Sequence, residues 1–169
     1  SMHVKLNTNG SRVGPEIARS LVETGLGEVQ ISLYSANEFR HDLMRRCRGL
    51  WKLATHAVRC FGQMKARFPR FGNHVQTLLS RENLHELPDL IELCLSLGAD
   101  SLAITYLEGD FSGEHLPSVR DIETFRALTL PAATEVCRQL VEPMRSRAIS
   151  VINSLFSSNI LVPTDWAMG

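Results

Sequence analysis

The chain has 169 residues, enough for one domain with a sizeable core. Its formal net charge is zero, so no bulk field points to nucleic acid or to an anionic membrane, and its fifteen arginines are scattered rather than gathered in a basic block. The apolar content of 44% is that of a globular protein, and no apolar run approaches the roughly 20 residues of a membrane span.

Nothing at the start reads as a signal peptide; Ser1-Met2 looks like an expression remnant ahead of native sequence. The four cysteines, Cys47, Cys60, Cys94 and Cys137, make no close pair. That argues against a zinc or iron–sulfur site built from this chain and predicts no metal ligands. Three of them fall in apolar helical patterns, where a free cysteine acts as a small hydrophobe. The expectation is reduced, structural thiols and a cytoplasmic setting.

Residues 4–9 read as a first strand running into Thr8-Asn9-Gly10. Gly14-Pro15 then opens a helix with Glu16 in its first turn, and Gly25 ends it. Residues 28–34 read as the second strand, with Val29, Ile31 and Leu33 on one side and Gln30, Ser32 and Tyr34 on the other. A polar loop is expected over 36–46. A helix follows over about 47–67, with Leu50, Ala54, Ala57, Phe61 and Met64 at helical spacing. Pro69 and Gly72 break it.

Residues 73–79 form the third expected strand. Asn83 begins a turn, Pro88 lies at the start of a third helix, and Leu87, Leu90, Ile91, Cys94 and Leu95 make its apolar stripe up to Gly98. Residues 101–107 form the fourth strand, and a long loop runs from Glu108 to about Val119. Residues 121–128 and 131–146 read as two helices, the second disturbed by Pro143. Residues 149–156 lean to a further strand, and 159–169 to an irregular tail beyond a single domain over 1–158.

Strand and helix alternate with short links, which argues for parallel strands in sequence order. Four such units make half a TIM-like barrel. One side parity carries Val4, Leu6, Val29, Ile31, Leu33, Val75, Leu79, Leu102 and Ile104. The other carries Lys5, Asn7, Asn9, Gln30, Ser32, Tyr34, His74, Gln76 and Thr105. A closed barrel normally fills its interior with branched apolar side chains. Buried polar groups without partners cost about 1–3 kcal/mol each, so this interior predicts a solvated or ligand-lined lumen. An open sheet with one wet face is the alternative.

Four landmarks in order carry a family resemblance: Leu6-Asn7-Thr8-Asn9-Gly10, Val29-Gln30-Ile31-Ser32-Leu33, Arg48-Gly49 opening a helix, and Val75-Gln76-Thr77 with Asn83. Over about residues 4–110 the chain resembles the later half of the radical S-adenosylmethionine (radical SAM) core. The resemblance implies an α/β fold, a parallel partial TIM-like barrel of about four to five strands. It implies S-adenosylmethionine and a [4Fe-4S] cluster as cofactors, and hydrogen abstraction by a 5′-deoxyadenosyl radical from a small-molecule or peptide substrate. It puts Ser32, Arg48 and Asn9 on the cofactor side, with Arg48 near the cofactor carboxylate. It puts Asn7, Gln76 and Thr105 on the substrate side, and gives no catalytic residue.

The family's C-x-x-x-C-x-x-C loop and its first strands have no counterpart here. The expectation is therefore a fragment of a longer barrel, inactive alone and unable to ligate the cluster, with a non-catalytic half-barrel that binds a polar ligand or a partner chain as the alternative. An uncovered first strand predicts self-association through that edge. Two further polar groups stand out in the loops. His41, Asp42 and Glu38 could ligate a metal but read as a solvated loop. Glu108, Asp110 and Glu114 could meet substrate but read as a surface acidic loop. For Asn83, turn formation outweighs ligand contact.

Overall fold

The computed structural model describes residues 3–106 and 113–139, with the side chain of Tyr106 excepted. Four strands, β1 (Lys5–Thr8), β2 (Glu28–Ser32), β3 (Gly72–Leu79) and β4 (Ser101–Tyr106), form one sheet in the order of the sequence. All three pairings are parallel. This is the α/β arrangement of a partial TIM-like barrel. Helix α1 (Pro15–Glu23) links β1 to β2, α2 (Glu38–Arg45) and α3 (Leu50–Met64) link β2 to β3, and α4 (Leu87–Ser96) links β3 to β4.

The period-2 reading of the strands holds. Val29, Ile31, Leu33 and Val75 are fully buried beneath α1 and α3, together with Ala18, Ala54, Ala57, Val58 and Phe61. A second cluster packs Leu79, Leu87 and Ile91 against Ile122, Phe125, Leu130 and Ala133. Two buried polar side chains share the apolar face. Asn73 donates to the carbonyls of Val58 (2.9 Å) and Gly98 (3.0 Å), tying α3 to the turn before β4. Thr77 is also fully buried there.

The turn after β1 depends on glycine. Gly10 is buried at φ +77°, and a Cβ there would stand 2.9 Å from the Cβ of Ala57 and 3.1 Å from the Cα of Ala54. Only glycine combines that left-handed backbone with so close an approach of α3.

Three expectations are corrected. Residues 36–46 are not a loop: α2 lies within them, capped where Asn37 accepts from the Arg40 amide at 3.0 Å. The following helix begins at Leu50 rather than 47, because Gly49 takes a left-handed conformation at its N-cap. The two late helices are one continuous run, α5 (Val119–Thr124), a π-helical segment (Phe125–Thr129) and α6 (Leu130–Arg138). Pro131 cannot donate to the previous turn, and the wider π turn just before it takes up the irregularity. Residues 107–112 and 140–169 lie outside the described residues, and with them fall the expected strand over 149–156, the tail, and Glu108 and Asp110. No helix among the described residues is long and apolar enough to cross a membrane.

Candidate functional site

The polar parity forms one continuous face. At the N-terminal end of the strands a row crosses all four. Lys5 Nζ lies 3.1 Å from Glu28 Oε1, Glu28 Oε2 lies 3.8 Å from His74 Nε2, and His74 Nδ1 lies 2.8 Å from Ser101 Oγ. The hydrogen bond from Lys5 holds the Glu28 carboxyl below its usual range. Burial moves His74 the other way from a paired histidine, lowering its pKa and favouring the neutral ring.

One layer up, Asn7 is in register with Gln30, which is in register with His74. Toward the C-terminal end, Ser32 is in register with Gln76. The Gln76 amide reaches Thr105 Oγ1 at 3.5 Å, and that hydroxyl donates to the Thr77 carbonyl at 3.1 Å. The structure thus brings Ser32, Gln76 and Thr105 together on adjacent strands, half-buried. Asn7 stands exposed on β1. Asn9 sits past the end of β1, where its Oδ1 accepts from the Ser11 amide at 3.0 Å. Arg48 occupies the exposed turn between α2 and α3 rather than the face itself.

A second cation beside this face, after Lys5, is one the spacing did not select. Arg45, in the last turn of α2, holds its guanidinium carbon 4.7 Å from the centre of the Tyr34 ring. Tyr34 follows Ser32 by two residues, hence on the same parity. Helix α2, in place of the loop expected over 36–46, supplies the register that delivers Arg45 there.

The loops beyond the C-terminal ends of β2 and β3 are joined by a buried network that no local motif announces. The Glu86 carboxylate is 8% exposed and accepts from Ser35 Oγ and from Arg40 Nη1. Arg40 Nη1 also lies 2.6 Å from His85 Nε2. Asn83 is a structural fastener: its side chain accepts from the Ser80 amide (2.8 Å) and donates to the carbonyls of Leu78 (2.7 Å) and Tyr34 (2.6 Å). The turn role expected of it is what the geometry shows.

His41 and Asp42 are not solvated, which corrects that expectation. Asp42 accepts from the amides of Gly49 and Trp51, supplying from α2 the cap that Gly49 lacks a side chain to give α3. Burial alone raises its pKa, but those amide donors reverse the shift and lower it. His41 is fully buried; its Nδ1 accepts from the Tyr34 amide at 3.0 Å, and its Nε2 finds no partner among the described residues. Burial, aided by the Arg45 charge, lowers its pKa to about 4. At neutral pH it is an uncharged structural ring. Glu38 faces Lys52 at 3.1 Å. Glu114 lies exposed in the loop before α5.

The thiols do not converge. Cys60, Cys94 and Cys137 are buried in α3, α4 and α6, and Cys47 is exposed on the α2–α3 turn. Burial pushes the Cys94 thiol up to about 12 and raises Cys60 and Cys137, which keeps all three protonated. No three His, Cys, Asp or Glu side chains among the described residues are grouped to hold a metal ion.

No protein-family model matches the chain. Curated proteins do. The chain is 31% identical to an AdoMet-dependent heme synthase of Methanosarcina barkeri over 121 residues, 69% of this chain and 33% of that protein. It is 24% identical to a PqqA peptide cyclase of Bradyrhizobium diazoefficiens over 169 residues, 99% of this chain and 40% of that protein. It is 34% identical to the mycofactocin maturase MftC of Mycobacterium tuberculosis over 104 residues, 62% of this chain and 25% of that protein. The chain therefore spans well under half the length of each of these relatives.

Proposed function

We propose that this chain, a homologue of the radical SAM enzymes, forms the later part of such a core and holds S-adenosylmethionine on its polar face. The observation that carries the reading is the face itself: amides and hydroxyls of Asn7, Gln30, Ser32, Gln76 and Thr105, half-open on a sheet whose other side is sealed. Side chains of that kind suit a ribose diol and the edges of a base. A guanidinium suits a carboxylate through two parallel hydrogen bonds. In this reading Ser32 and Asn9 meet the cofactor, and Arg48 or Arg45 meets its carboxylate. Asn7, Gln76 and Thr105 face the substrate, a small molecule or a peptide. One relative is named for a peptide, which favours that class.

The residues present do not fit a [4Fe-4S] cluster, since three of the four thiols are buried and protonated in separate helices. Reductive cleavage of S-adenosylmethionine is therefore assigned to this face working with a cysteine-bearing segment other than these residues, and the chain alone is expected to bind without turning over. Strand β1 pairs on one side only among the described residues. Its free edge is proposed as the place where such a segment, or a second copy of the chain, adds a strand.

Calorimetric titration of S-adenosylmethionine into the full chain tests the reading. Saturable binding, weakened about tenfold by Ser32→Ala and more by Arg45→Met, supports it. Absence of binding, or binding untouched by both substitutions, refutes it.

A further inference from the structure

A cavity of about 530 Å³ opens at the other end of the sheet, where the chain enters β2 and β3. Its floor is apolar. Val22 and Phe71 are buried, and Leu26 and Phe68 pack against the same core. Its polar lining is Arg67, Arg70 and His3, and no carboxylate side chain among the described residues lines it. Arg67 is committed to Glu23 at 2.9 Å, with its guanidinium carbon 5.4 Å from the Phe68 ring centre. Arg70 makes no ion pair among the described residues and stands exposed at the mouth.

The volume lies within the range of small-molecule sites, which are mostly apolar with a few placed polar groups. A positive rim over an apolar floor selects against cations and against fully polar anions. The first lack attraction to the rim, and the second leave the floor unfilled. The remaining chemistry is an apolar body with one anionic head. The head would meet the Arg70 fork, and the body would displace water from Leu26, Phe68 and Phe71. We propose that this cavity binds an amphipathic carboxylate, at a site separate from the polar face and independent of what that face holds.

The test titrates decanoate into the full chain by calorimetry and follows backbone amide shifts. One saturable site is expected, with shifts confined to residues 25–27 and 67–71. Decan-1-ol, which has the body without the charge, should bind at least tenfold more weakly. Arg70→Glu should weaken decanoate at least tenfold, and Leu26→Trp should block the cavity. Arg70 is exposed, so its variant reports even if the tryptophan variant fails to fold. No saturation by decanoate, equal affinity for the alcohol, unchanged affinity in Arg70→Glu, or shifts that map to Ser32 and Gln76 would each overturn the assignment.

Discussion

The two faces of the sheet share one backbone and differ in everything else. On the helix-backed face Ile31 and Val75 are fully buried, and neighbours differ by methyl groups that must interlock. On the opposite face Ser32 and Gln76, their partners in the pleat, stay half-open, and Gln76 reaches only a long 3.5 Å hydrogen bond to Thr105. Stability therefore resides on the first face, and the proposed binding on the second. A residue's parity, rather than its place along the strand, decides which of the two a substitution disturbs.

The sharpest way to break that division is to cut the sealed face. Phe61 is fully buried and stacks on Phe71 with ring centres 5.6 Å apart. Phe61→Ala should cost about 3–5 kcal/mol, read as a shifted urea midpoint with an unchanged slope.

Acid should do nearly as much through one ring. His41 has an ordinary pKa of 6.5 and a folded value of about 4. Between those values the unfolded chain binds a proton that the folded chain refuses, so stability is full above about 6.5 and falls as pH drops toward 4. The loss from this group is about 3 kcal/mol at the lower end. Protonated Nδ1 also can no longer accept from the Tyr34 amide. Thermal melts from pH 7 to 4 should show this slope, and His41→Asn should flatten it. An equal slope in both proteins would reject the assignment.

Gly10→Ala strains a left-handed backbone and presses a methyl group onto Ala57. A loss of about 1–3 kcal/mol is expected, with the sheet retained by circular dichroism. Smallest of all, Gln76→Ala on the open face should change stability by no more than about 0.5 kcal/mol, while weakening S-adenosylmethionine in calorimetry if that face is the binding face. A large stability loss here would erase the contrast between the two sides.

Most of the sheet was legible before the structure. Period-2 alternation in residues 28–34 and 73–79, with Gly and Pro punctuation between, suffices to set strand order, direction and the polar face. Helix α2 was not legible because its buried side is a histidine, and a burial pattern carried by His41 looks polar in sequence. The cap that Asp42 gives α3 has no local sequence signal, because α3 carries glycine at its own N-cap.

What the sequence determined by itself is periodic and local: strands, most helices, the two parities, and the resemblance that its turns carry. What only the tertiary structure decided is where unlike segments meet. Ser35 and Glu86 are 51 residues apart in sequence and form one buried bond. Arg45 reaches Tyr34 because a helix turns it there. The cavity under Arg70 forms where the chain ahead of β2 meets the chain ahead of β3, the Gly72 amide donating to the Gly27 carbonyl at 3.0 Å. Side-chain periodicity follows from backbone geometry at each residue, whereas these meetings follow from the packing of the whole chain, which no window of sequence contains.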